Sequence, residues 1–156
     1  MVIIRAARPA DLAVLTGLLK TLFGIEADFS FNEALQQQGL RLMLADKRSR
    51  LLVAEAEGVV VGMCSGQLTI STAEGGPALL VEDVVVGERW RGQGIGRRLM
   101  AALASWARRH QVSRLQLLAD RQNVMALDFY RHLGWQGTEL ICLRRHLDED
   151  EGSPTT

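Results

Sequence analysis

The chain has 156 residues, 47 % of them hydrophobic, and its 18 basic side chains are balanced by 18 acidic ones. That length and apolar content suit one globular domain with its own core, built without disulfide or metal staples. The charge balance argues against a global attraction to nucleic acid or an anionic membrane, so electrostatic recognition must be local.

The opening Met1-Val2-Ile3-Ile4-Arg5 has too short an apolar run for a signal peptide, and no later stretch approaches the roughly 20 apolar residues of a membrane span. A cytoplasmic protein is expected. Val2 to Ala6 reads as a short strand. Pro9-Ala10-Asp11 then suits the first turn of a helix running to about Phe23, where Leu12, Leu15, Leu18, Leu19 and Leu22 recur at three- and four-residue spacing. A second helix is predicted over Asn32 to Ala45, with Asn32 as N-cap.

From Arg50 the pattern becomes extended. Leu51 to Glu55 leads into a Glu57-Gly58 hairpin turn and a long strand from Val59 to Thr72. A polar loop from Ser71 to Pro77 precedes another strand, Ala78 to Val86. A third helix carries Ile95, Leu99, Leu103 and Trp106 on one face and ends in Arg108-Arg109-His110, cations that suit a helix C-terminus. Arg114 to Ala119 reads as a strand reached by a crossover helix, hence parallel to the strand before it. A fourth helix starts near Asn123 and stops at Gly134. Trp135 to Arg145 gives a closing strand, interrupted near Gly137, which offers a surface for a homodimer. Residues 1–147 therefore form a single domain, and 148–156 an acidic, flexible tail. Cys64 and Cys142 fall in separate apolar runs and are expected as reduced, buried thiols. His110, His132 and His146 lack metal-ligand spacing with one another or with the cysteines, so no metal is implied.

The junction Arg91-Gly92-Gln93-Gly94-Ile95-Gly96 joins the valine-rich strand to the third helix. Glycines there let backbone N–H groups converge on an anion at a helix N-terminus that carries partial positive charge. A nucleoside-triphosphate loop needs lysine followed by serine or threonine after its last glycine, whereas Arg97-Arg98 follow Gly96. A dinucleotide fingerprint needs a different glycine spacing and an acid about 20 residues on, where Arg114 stands. Arg97 and Arg98 oppose the helix dipole in a first turn, a placement that an anionic ligand would turn to advantage.

The arrangement Arg91-x-x-Gly94-x-Gly96, preceded by Val84-Val85-Val86, resembles the acetyl-CoA signature of the GNAT superfamily of N-acetyltransferases. The string Asn123 to Trp135, with Asp128-Phe129-Tyr130 at its centre, resembles that superfamily's second signature. The resemblance implies an α/β fold of the α+β kind: a mixed, mostly antiparallel central sheet splayed at the cofactor site and flanked by about four helices. It also implies direct transfer of acetyl from acetyl-CoA to a primary amine. Val84, Val85 and Val86 would bind the pantetheine arm through their main chain. Arg91, Gly92, Gln93, Gly94, Ile95, Gly96 and Arg97 would hold the phosphates. Asn123 matches a pantetheine contact in relatives, and equally serves as a helix N-cap.

Tyr130, the only tyrosine, matches the family's acid that protonates the departing thiolate; a phenol with a pKa of about 10 keeps its proton at neutral pH. A lysine-like amine is mostly charged at pH ~7, so a base is needed to free its lone pair. Glu82 and Asp83 are the candidates. Strand alternation sends them to opposite faces, and Glu82, which shares the parity of Val84 and Val86, is preferred unless a bulge intervenes. Glu26 and Asp28, between Phe23 and Phe29, either hold a cationic acceptor or are surface acids of a helix linker. Small-molecule amines are the first acceptor class expected, and a protein lysine or N-terminal amine the second. A noncatalytic acyl-CoA sensor is the rival from another class.

Overall fold

The computed structural model describes residues 1–26 and 28–147. The acidic tail predicted over 148–156 lies outside the described residues. Strand β1 (Val2–Ala6) is followed by a short 3-10 turn at Pro9–Asp11 and by helices α1 (Leu12–Ile25) and α2 (Glu33–Ala45). Then come strands β2 (Ser49–Ala56), β3 (Val59–Ser71) and β4 (Gly76–Val86), helix α3 (Ile95–Arg109), strand β5 (Leu115–Leu117) and helix α4 (Val124–His132).

The five strands lie in the order β1-β2-β3-β4-β5, with β1 to β4 antiparallel and β5 parallel to β4. The β2–β3 hairpin turns on Glu57 (φ 53°) and Gly58 (φ 79°), two left-handed residues of the kind whose twist matches a two-residue hairpin. Asn32 caps α2 by accepting from the Leu35 N–H at 3.2 Å, which relieves one of the unpaired donors of the first turn.

Both faces of the sheet are covered, so β2 and β3 read as nearly continuous apolar runs rather than alternating ones. Leu51, Val53, Met63 and Val85 face Leu15, Leu18, Leu19 and Leu22 of α1 and Leu40 of α2. Leu52, Ala54, Cys64, Leu79 and Val81 face Ile95, Leu99, Leu103 and Trp106 of α3, with Phe129 and Tyr130 of α4 packed at the margin. Two helical layers thus clamp one sheet.

Two irregularities in β4 shape everything functional. On one side, β4 pairs with β5 only over Leu79–Val81 and Leu115–Leu117, so residues 82–86 continue with no strand beside them among the described residues. This is the expected splay, and it shortens β5 relative to the predicted Arg114–Ala119. On the other side, the register with β3 shifts between Met63 and Ser65, opposite Glu82 and Val85. Asp83 occupies this bulge with φ 54°, a left-handed conformation unusual for a residue with a Cβ. The Ser65 hydroxyl donates to the Glu82 carbonyl at 3.0 Å and so satisfies an acceptor at the point where the ladder is interrupted.

The predicted closing strand does not form. Residues 136–147 belong to no ladder, and Cys142, expected buried, is exposed, while Cys64 is buried as expected. The apolar run Leu140 to Leu143 has strand composition, but a strand also needs an edge to pair with, and within one chain none is used.

Candidate active site

The glycine junction keeps the start of α3 open. Gly94 is its N-cap, left-handed at φ 79°, with no side-chain cap and no acid in the first turn. The first intrahelical bond is made by Arg98 N–H to the Gly94 carbonyl at 3.1 Å, so the N–H groups of Ile95, Gly96 and Arg97 have no helical acceptor. Gly92 is also left-handed, at φ 73°. Arg91 closes the loop onto β4 by donating from Nε to the Val86 carbonyl at 3.0 Å, and Gln93 donates to the Arg89 carbonyl at 3.4 Å. Arg89, Arg91, Arg97 and Arg98 are exposed and take no part in the ion pairs found among the described residues. Open N–H donors, a positive helix end, the uncommitted guanidinium groups of Arg89, Arg97 and Arg98 and the remaining nitrogens of Arg91 fit the phosphates of a coenzyme A moiety.

The loop residues do not all face that opening. Ile95 is buried in the core under α3, leaving only its N–H for a ligand. Gly96 is small for another reason: a Cβ there would lie 3.1 Å from Cζ of Phe129. Along β4, the Gly87 N–H donates to the Val61 carbonyl at 2.7 Å and Val85 is registered with Met63. Alternation therefore turns the main chain of Val84 and Val86 to the splayed side, while that of Val85 is committed to β3.

Opposite this edge lies a cleft of about 420 Å³ between α1, α2 and β4, walled by Leu19, Phe23, Phe29 and Met43 and reached by both Glu82 and Asp83. The bulge thus defeats the alternation that would send those two carboxylates to opposite faces. Glu82 is exposed, whereas Asp83 is half-buried. Burial, reinforced by Glu82 and Glu26, pushes the Asp83 carboxyl up to about 7. Glu26, which ends α1, is also raised, first by burial and then by Asp120, Asp28 and Glu82. Three carboxylates from α1 and β4 therefore share one site, and the negative charge of its neighbours makes Asp83, and likewise Glu26, harder to ionise. Asp28, whose charge also reaches Glu26, lies 3.5 Å from Nη1 of Arg144.

Tyr130 sits on α4 against Phe129 and Trp135, with ring centroids 5.2 and 5.8 Å away. Its phenol is pushed up to about 12 by burial first, then by Glu26 and Cys64, so it holds its proton throughout the neutral range. Asn123 caps α4, its Oδ1 accepting from the Ala126 N–H at 3.1 Å; its amide NH₂ and the second lone pair of Oδ1 remain for a ligand. Asp120, in the β5–α4 connection, joins the acidic group through Glu26 and was not singled out in the sequence. Its nearest signal was a position one turn before the Asn123 cap. Among the described residues no cluster of three His, Cys, Asp or Glu side chains is placed to hold a metal, and no helix is long and apolar enough to cross a membrane.

Residues 18–135 match the sequence profile of the Acetyltransferase (GNAT) family. Over 146 residues the chain is 30 % identical to aminoglycoside N(6')-acetyltransferase type 1 of Stenotrophomonas maltophilia, covering 91 % of each protein. Its fold is similar to that of a transcriptional regulator from Bacillus halodurans C-125, with TM-score 0.82, 26 % identity and coverage of 94 % of this chain and 100 % of that one. AAC(6')-Iy in complex with the bisubstrate analogue CoA-S-monomethyl-acetylneamine is similar in fold alone, with TM-score 0.80, 19 % identity and coverage of 95 % and 99 %.

Proposed function

The chain belongs to the GNAT acetyltransferase family, and from that premise we propose that it acetylates a primary amine of a small molecule, with one catalytic domain spanning residues 1–147. It is an acetyl-CoA-dependent enzyme, which removes the noncatalytic sensor as a reading. Acetyl-CoA supplies the acetyl group as an activated thioester.

In this reading the open N-terminus of α3, with Arg91 and Arg97, binds the phosphates, and the main chain of Val84 with the N–H of Val86, whose carbonyl is taken by Arg91, aligns the pantetheine arm along β4. The acceptor enters the cleft from the side of Phe23 and Phe29. Glu26 and Glu82 attract its ammonium group, and Asp83 takes the proton that must leave before the nitrogen can attack. The Tyr130 hydroxyl holds a proton at the opposite end of the path, available to the departing sulfur. Asp28, already engaged by Arg144, serves the rim rather than the reacting amine.

The observation that carries this reading is Asp83, a carboxyl poised at about 7 on a bulge beside the unpaired edge of β4. A general base works best with a pKa near the working pH. The cleft volume of about 420 Å³ falls in the range of small-ligand pockets and favours a small acceptor over a peptide. The 30 % identical relative is by name an aminoglycoside acetyltransferase, which supports an amine-bearing small molecule here. The decisive experiment follows thiol release from acetyl-CoA across a panel of aminoglycosides, polyamines, amino sugars, amino acids and peptides, using wild type, Asp83→Asn and Tyr130→Phe. Turnover of a small amine that both substitutions suppress is expected. Turnover confined to peptides would overturn the acceptor class.

A further inference from the structure

The acceptor cleft reaches well past the groups that react. Besides Glu82 and Asp83 it is bordered by Asp46, which follows α2, by Ser49 of β2 and by Gln67 of β3. Glu82 is paired with Ser65, which is paired with Leu51; two residues away along the sheet, Leu80 is paired with Gln67 and Gln67 with Ser49. Leu51 packs against α1 and α2, so alternation gives Glu82, Gln67 and Ser49 the same face. Two strand spacings across and two residues along place Ser49 about 12 Å from Glu82, Cα to Cα.

This far end of the cleft is polar and incompletely paired. The Asp46 carboxylate accepts from the Arg48 N–H and the Ser49 hydroxyl, both at 2.9 Å. These two bonds hold its carboxyl below the ordinary carboxylate range, so it is charged at neutral pH. It enters none of the ion pairs found among the described residues; the Arg48 guanidinium reaches the Leu68 carbonyl instead, at 3.4 Å. The Ser49 hydroxyl, having donated, keeps its lone pairs. The half-buried Gln67 side-chain amide has no hydrogen-bond partner among the described residues.

Between the two ends, α2 carries a notch. Leu35, Gly39, Leu42 and Asp46 line the cleft at four-, three- and four-residue spacing, which puts them in one row on the helix. Leu35 and Leu42 are 60 and 66 % exposed. Gly39, between them, has nothing within 4 Å of the place a Cβ would take. Glycine in the middle of a helix is unfavourable relative to alanine, and no protein atom here requires it. The room it leaves belongs to the cleft.

We propose that Asp46, Ser49 and Gln67 form a distal subsite that selects acceptors carrying two ammonium groups. One nitrogen reacts at Glu82 and Asp83, and the other, about 10 Å away, stays protonated and donates to the Asp46 carboxylate, the Ser49 hydroxyl oxygen and the Gln67 amide oxygen. Three N–H donors thus meet three acceptors. The chain that joins the nitrogens lies along the notch at Gly39, its methylenes against Leu35 and Leu42. The subsite rests on the reading of this cleft as the acceptor site.

The test uses linear α,ω-diamines of increasing length, with the monoamine and the amino alcohol of matching length as controls. Acetyl transfer is followed kinetically, and binding to the enzyme with coenzyme A is followed by calorimetry. For wild type, kcat/KM should peak where the nitrogens stand about 10 Å apart and should exceed that of the matching monoamine by about tenfold or more. Asp46→Asn and Gln67→Leu should each shrink that advantage, through KM rather than kcat. Gly39→Leu should raise Tm, because leucine is the better helix former, yet weaken binding of the longer diamines by about tenfold or more. A monoamine or amino alcohol acetylated as well as the diamine would overturn the subsite and leave small-amine transfer standing. Diamine binding that depends on Asp46 but leads to no turnover would support the subsite and overturn the transfer reading. Absence of both binding and turnover for every diamine would overturn the subsite.

Discussion

Gly96 of α3 and Phe129 of α4 meet at a point where no side chain would fit: a Cβ on residue 96 would lie 3.1 Å from Cζ and 3.3 Å from Cε2 of the phenyl ring. The contact joins the helix whose first turn faces the anion site to the helix that presents Tyr130, the neighbour of Phe129. Gly96→Val is therefore expected to cost about 1–3 kcal/mol by overpacking, and less when Phe129→Leu provides room. A double-mutant cycle in denaturant should give a coupling of about 1 kcal/mol. Additive energies would mean that the two helices are not mechanically linked there.

Asp83→Asn removes the proton acceptor while keeping the shape, and asparagine tolerates the left-handed φ of 54° better than most residues. The expected result is a fall in kcat of about 10²- to 10⁴-fold, with acetyl-CoA affinity retained. In wild type, kcat/KM for the amine should rise with pH through about 7, and that limb should vanish in the variant.

The same carboxyl carries a stability consequence of opposite sign. Folded Asp83 keeps its proton up to about 7, whereas an unfolded aspartate releases it near 3.8. The folded state thus binds more protons between those values, and stability falls as pH rises across that window. Thermal unfolding of Asp83→Asn at about pH 8 should show a Tm above that of wild type, and the difference should close below about pH 4, where both states are protonated. An unchanged Tm at both pH values would show that Asp83 is not held at a cost.

Much of the frame could be read from local signals. The stripe Leu15, Leu18, Leu19, Leu22 and the left-handed pair Glu57-Gly58 announce α1 and the hairpin, because periodicity and turn chemistry act within a few residues. The bulge at Asp83 could not be read that way. Glu82-Asp83-Val84 is compatible with an unbroken strand, and the extra residue appears only when β4 is registered against Met63 and Ser65 of β3. The placing of Glu26 beside Asp83 and Tyr130, and of Asp120 beside Glu26, likewise depends on where α1 and the β5–α4 connection end in space. The closing strand had the right composition from Leu140 to Leu143, but pairing is a property of the edge it meets and not of the run itself.

Tyr130→Phe separates chemistry from packing. The ring keeps its contacts with Phe129 and Trp135, so Tm and acetyl-CoA affinity should stay close to wild type while kcat falls about 10²-fold. With its phenol at about 12, wild-type Tyr130 should impose no descending limb on the pH profile up to about pH 10. A loss of activity accompanied by a matching loss of affinity would assign the residue to binding instead.

Arg97→Glu should move stability and binding in opposite directions. Arg97 lies in the first turn of α3, where no acid offsets the helix dipole; a glutamate there is favourable by roughly 0.3–1 kcal/mol and the arginine unfavourable by a similar amount. The ligand-free variant should therefore melt slightly above wild type. Its affinity for coenzyme A should drop by about tenfold or more, because a charge-assisted partner of a phosphate has been replaced by a repelling one. Raising the salt concentration should narrow the difference in affinity, since an exposed pair is screened. Thermal melts without ligand and calorimetric titration with coenzyme A at two ionic strengths check all three effects. If the variant bound coenzyme A as tightly as wild type, the phosphates would have to lie beyond the reach of the α3 N-terminus, and the assignment of the Arg91–Gly96 loop would fail with it.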